Sequence, residues 1–93
     1  MERNFEMAKD SPRPWMMEAD IHGMTKAQAE VYIDSVLNRA GGSVYRIRVI
    51  HGYHGGTELR TMVRKKYAKD PRVKRIEIGM NQGETELILK ELF

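Results

Sequence analysis

Apolar residues alternate with polar ones, then recur every three or four positions, and this change of period happens twice before two further alternating runs. Over residues 15–22, Met17, Ala19 and Ile21 fall on one side and Glu18, Asp20 and His22 on the other, the two-residue period of a strand. Thr25-Lys26-Ala27-Gln28 then has the form of a capping box, in which the threonine hydroxyl and the glutamine side chain satisfy opposite ends of the first turn. Ala29, Ile33, Val36, Leu37 and Ala40 follow as the stripe of an amphipathic helix, with Gly41-Gly42 expected to end it in a left-handed stop. Residues 44–50 predict a second strand, with Tyr45, Ile47 and Val49 opposite Arg46 and Arg48. A second helix is expected over 57–69, burying Leu59, Met62, Val63 and Tyr67 and stopped by Asp70-Pro71. Residues 73–79 and 84–92 read as third and fourth strands. The turn at Asn81-Gln82-Gly83 is so short that they must form an antiparallel hairpin.

The order βαβαββ predicts an α+β domain. Right-handed crossovers put both helices on one face of the sheet, giving a two-layer sandwich with the other face open. Asp20, His22, Arg46 and Arg48 have the parity to look toward that open face. Residues 1–14, broken by Ser11-Pro12-Arg13-Pro14, are expected to be a flexible lead-in to a domain over 15–93, with Trp15 as an anchor.

Composition narrows the class. A chain of 93 residues, 41% hydrophobic and 31% charged, suits one small globular domain. No apolar run approaches the roughly 18 residues of a membrane span, and the N-terminus lacks the apolar core of a secretory signal. With no cysteine there is neither a disulfide framework nor a thiolate zinc site, so the expected location is the cytoplasm. The net charge of +3 is unevenly spread: residues 59–75 hold eight of the sixteen Lys and Arg against Asp70 alone. A localised basic stripe suits a polyanion, because phosphate contacts supply most sequence-independent nucleic-acid affinity.

Two His-Gly pairs, His22-Gly23 and His51-Gly52, each close a strand and precede a helix. In open α/β sheets that carboxyl edge is where ligands bind, and a glycine turn before a helix N-terminus is suited to an anion. Ala19-Asp20-Ile21-His22-Gly23 resembles the first motif, L-D-L-H-G, of the Smr (small MutS-related) domain family, and Val49-Ile50-His51-Gly52 with Gly56, Leu59 and Arg60 resembles its second, H-G-x-G-x-G-x-L-R. The turn at Gly83 and Thr85-Glu86-Leu87-Ile88-Leu89 take the place of its C-terminal glycine turn and apolar strand. In this sequence the loop from His51 to Leu59 is one residue longer, and His54 stands where the second glycine is expected. The resemblance implies a mixed four-stranded sheet of order 1-2-4-3 with strand four antiparallel, similar to the C-terminal domain of translation initiation factor three. It also implies nucleic-acid binding, with nicking or endonuclease activity reported for several members.

Phosphodiester hydrolysis needs a base, an acid and neutralisation of phosphoryl oxygens, and histidine serves either proton role near neutral pH. Three catalytic candidates follow: His51 as general acid or base, and Asp20 with His22 as the partner base or as ligands of one divalent ion. The phosphate-binding candidates are the turn Gly52, Tyr53, His54, Gly55, Gly56 and Thr57 together with Arg60, Arg64, Arg46 and Arg48. The amides of Gly55, Gly56 and Thr57 form the cradle, and Arg60 forks onto another oxygen. His54 adds a proton donor or phosphate ligand, and Tyr53 either stacks on a base or covers the sheet edge. No histidine pair has the helical spacing of a closed zinc site, so Mg2+ or Mn2+ held by Asp20 and substrate phosphate is the better-suited ion. The functional expectation is a monomeric domain that binds and nicks DNA or RNA. The alternative is a DNA-, RNA- or ribosome-binding module without catalysis, using the same loop and basic helix. A two-histidine phosphoesterase would carry H-x-T or H-x-S twice, unlike His22-Gly23-Met24 and His51-Gly52-Tyr53.

Overall fold

The computed structural model describes residues 9–10, 15–52, 57–78 and 82–91. Five strands form one sheet: β1 (Lys9–Asp10), β2 (Met16–Asp20), β3 (Arg46–Ile50), β4 (Arg75–Glu77) and β5 (Glu84–Ile88), in the order β1-β2-β3-β5-β4. Helices α1 (Lys26–Arg39) and α2 (Glu58–Lys66) fill the two crossovers. β2 and β3 are parallel, whereas β5 runs antiparallel to both β3 and β4. The four strands expected from the sequence therefore stand in the order 1-2-4-3. The short β1, from the segment read as a lead-in, pairs antiparallel with the outer edge of β2.

One core lies between sheet and helices. Met17, Ala19 and Ile21, then Ile47 and Val49, then Leu87 point from the strands toward Ala29, Ile33, Val36 and Leu37 of α1 and Met62 and Val63 of α2. The capping box of α1 is present, with Thr25 Oγ1 accepting from Gln28 N at 3.1 Å and Gln28 Oε1 accepting from Thr25 N at 3.0 Å. The end of α1 differs from expectation. Among the described residues only Gly23 and Gly52 have positive φ, so Gly41-Gly42 is not a left-handed stop. Instead Ala40 turns extended while its amide still donates to Val36 and Leu37, and Val44 N closes onto Gly41 O at 3.1 Å.

The second helix is shorter than predicted. It passes at Tyr67 into a single 3-10 turn (Tyr67–Lys69), and Asp70 is extended ahead of Pro71, as the proline ring requires. Tyr67 is fully buried, and its hydroxyl donates to Asp34 at 3.0 Å, clamping α2 to α1. Burial and the Asp34 carboxylate both push its proton affinity up. Arg72 continues the clamp with bonds to Asp34, Asn38 and Asp70.

Candidate functional site

Parallel pairing in register brings the two His-Gly turns to one level. Asp20 stands opposite Ile50, and one residue further Ile21 N donates to Ile50 O at 2.9 Å. Each chain then reverses through its glycine, at φ +83° for Gly23 and +78° for Gly52, a region where a Cβ is strained. A Cβ built on Gly52 would lie 3.5 Å from the Cβ of His22, so the second turn backs directly onto the first histidine. The convergence expected from two βα units is present.

The histidines are placed differently. His22 is exposed, and its Nδ1 lies 2.5 Å from Asp20 Oδ1, which also accepts from His22 N at 3.2 Å. With Nδ1–H donated to the carboxylate, the Nε2 of this exposed ring has no partner among the described residues. The hydrogen bond and the charge of Asp20 raise the proton affinity of His22.

His51 continues the inward parity of Ile47 and Val49 and is only 4% exposed. Its Nδ1 lies 3.1 Å from Gly52 O and its Nε2 2.9 Å from Thr85 Oγ1. Burial chiefly, with Arg64 and Arg60 nearby, lowers its proton affinity. An imidazole with both nitrogens engaged and its cationic form disfavoured has no position left for substrate. The catalytic role expected of His51 finds no free atom, and its parity on the helix side of the sheet is the cause. The Gly52 amide, expected at the phosphate, donates to Gly83 O at 2.9 Å, and its carbonyl faces the His51 ring.

The arginines divide in two groups. Arg46 and Arg48 sit on the open face among four carboxylates: Arg46 pairs with Glu86 and Glu77, and Arg48 with Glu86, Glu18 and Glu84. Arg75 also pairs with Glu77, so Arg46 and Arg48, expected as phosphate ligands, are engaged in a network of cross-strand ion pairs. On α2, Arg60 and Arg64 lie one turn apart, and neither has an acidic partner among the described residues. Arg64 Nε donates to Thr85 Oγ1 at 2.9 Å, leaving its terminal nitrogens uncommitted among the described residues. Thr57 caps α2 without a side-chain bond. Tyr53, His54, Gly55 and Gly56, expected to shape the cradle, lie outside the described residues.

Thr85 is the residue that sequence reasoning missed. It is fully buried at an inward position of β5, beside Leu87. A hydroxyl at a core position was the available signal, since such groups need a partner. Among the described residues no three His, Asp or Glu side chains cluster as a metal site. A divalent ion at Asp20 would have one carboxylate from the protein and the rest of its oxygens from phosphate and water.

The sequence profile of the Smr domain matches residues 19–86. The chain belongs to the Smr domain family. The matched segment runs from the start of the Asp20–His22 pair past Thr85, so every element of the converged edge lies inside the Smr region. The crystal structure of the Smr domain of Thermus thermophilus MutS2 superposes with a TM-score of 0.72 at 28% identity, covering 80% of this chain and 98% of that one. No curated protein matches the sequence significantly. No helix among the described residues of this Smr domain is long and apolar enough to cross a membrane.

Proposed function

We propose that this Smr domain binds the phosphate backbone of DNA or RNA at the edge formed by the two His-Gly turns and the start of α2, and cleaves one phosphodiester bond there. The observation that carries this reading is charge without compensation. Arg46, Arg48, Arg72 and Arg75 are each held by carboxylates, whereas among the described residues Arg60 and Arg64 at this edge, like Arg39 at the end of α1, have no carboxylate partner. Both lie near enough to His51, the residue before the turn that backs onto His22, to disfavour its charging. A pair of guanidiniums beside a helix N-terminus suits a phosphate, and arginine's planar fork takes two of its oxygens.

In this reading Asp20 and His22 carry the proton chemistry. As water attacks phosphorus, releasing its proton to solvent, and the P–O bond to the leaving oxygen breaks, the His22 imidazolium gives its Nε2 proton to that oxygen and is then recharged from solvent. Asp20 supports the cation and fixes the ring. Arg60 and Arg64 neutralise the phosphoryl oxygens, which gain negative charge in the transition state. A binding module without turnover is the second reading, favoured by the engagement of His51, which leaves His22 as the one exposed histidine among the described residues.

A cleavage panel of single-stranded, duplex and branched DNA and RNA, with and without Mg2+ or Mn2+, separates the two. Cleavage by the wild type that drops about 100-fold or more in His22→Ala, with binding retained, is the expected outcome. Binding without cleavage of any substrate selects the module. Cleavage unaffected by His22→Ala contradicts the assignment.

A further inference from the structure

Arg64, Thr85, His51 and Gly52 form one hydrogen-bonded chain that links α2, β5 and β3, with Arg64 Nε to Thr85 Oγ1 at 2.9 Å, Thr85 Oγ1 to His51 Nε2 at 2.9 Å and His51 Nδ1 to Gly52 O at 3.1 Å. Its direction is fixed by chemistry. A guanidinium only donates, so Thr85 Oγ1 accepts from Arg64. A backbone carbonyl only accepts, so His51 Nδ1 must carry a proton and donate to Gly52 O. Neutral imidazole then has a bare Nε2, and the single hydroxyl proton of Thr85 points to it. Reversing the imidazole would set two lone pairs against each other at Gly52. Charging it would leave the Thr85 proton without its acceptor, 0% exposed and beside a guanidinium.

We infer that Thr85 is a positioning residue, whose hydroxyl orders this proton chain so that His51 holds the Gly52 turn against His22 and Arg64 presents its terminal nitrogens to the ligand. The inference deepens the reading of the edge as a phosphodiester site, and its second half rests on that reading. The consequences are local. His51 N and Gly52 N both donate to Gly83 O at 2.9 Å, so the turn is gripped through its amides from the start of β5 and through its carbonyl from the His51 ring. Without the Thr85 hydroxyl, Arg64 loses its tether and His51 Nε2 is a buried acceptor with no donor. The charged groups facing His51 are Arg60 and Arg64 from α2 and Glu84 from β5; His22 adjoins across the Gly52 turn.

Long-range 1H–15N spectra of the histidine rings read the proton order directly. Wild-type His51 is expected as the neutral Nδ1–H tautomer at pH 7, staying neutral as His22 acquires its charge. Thr85→Val, which keeps the shape, is expected to retain the Nδ1–H tautomer, because Gly52 O still accepts, but to move the His51 Nε2 resonance to that of an acceptor with no donor and to weaken binding of a fluorescent phosphodiester oligonucleotide roughly five- to tenfold, the worth of one displaced hydrogen bond. Thr85→Ser restores both. A wild-type His51 in the Nε2–H form or charged at pH 7 overturns the inference whether or not the valine variant folds. An unchanged His51 Nε2 resonance and unchanged affinity in a folded Thr85→Val protein do the same. If no oligonucleotide binds the wild type, the phosphodiester reading fails, and with it the claim about Arg64, while the spectra still decide the proton order.

Discussion

Gly52 and Gly23 share a left-handed φ, yet they are not equivalent. At Gly23 a Cβ meets nothing within 4 Å, while at Gly52 it would come into ordinary van der Waals contact with the Cβ of His22. Alanine at either site should cost about 1–2 kcal/mol from the backbone conformation alone, measured by urea unfolding. Only Gly52→Ala should also shift the ring signals of His22. The histidines give opposite pH dependences. His22 has its affinity for protons raised by Asp20, so its contribution to stability is full below about 6.5 and is lost as pH rises through its folded value. His51 is lowered, so the unfolded chain takes up a proton first, and stability falls as pH drops below about 6.5. Unfolding midpoints between pH 5 and 8 should lose this acid-side slope in His51→Gln, and the alkaline-side slope in His22→Gln. That two histidines would meet at one edge was legible from two strand-Gly-helix units. Their difference in burial follows the strand alternation carried one step past each end, with His51 in line with Ile47 and Val49 and His22 in line with Asp20. The third histidine, His54, lies outside the described residues.

Among the secondary-structure elements, α1 is the most fully written in the sequence, down to its capping box. Thr25→Ala should destabilise the fold by about 1 kcal/mol, visible as a lowered urea midpoint with unchanged slope. The strands were legible as alternating runs, although the third and fourth pair over fewer residues than their patterns suggested. What the runs concealed is who neutralises whom. Arg46 and Arg48 read as a basic face when β3 is considered alone, but Glu18, Glu77, Glu84 and Glu86 come from three other strands, and Glu86 stands opposite Arg48 only through the β3–β5 register. No local pattern carries that register, which is set across the intervening α2 and hairpin. Likewise β1 has only two residues and lies beyond the reach of periodicity, so the sequence suggested only a loose segment there.

Charge divides the described residues into a sheet face whose arginines are paired with carboxylates and an edge at the first turns of α2 where Arg60 and Arg64 are not. If binding is led by phosphate contacts, the logarithm of affinity should fall linearly with the logarithm of salt, and removing both Arg60 and Arg64 should flatten the slope by about 1.8 on duplex DNA. Arg46→Gln should leave that slope unchanged. The most direct test maps the surface itself: a 15N-labelled domain titrated with a short single-stranded or duplex oligonucleotide. Shifts gathered on His22, Gly23 and the first two turns of α2, with Arg46, Arg48 and Glu86 silent, are the predicted result. Shifts centred on the open sheet face, with the His-Gly edge silent, would contradict the account.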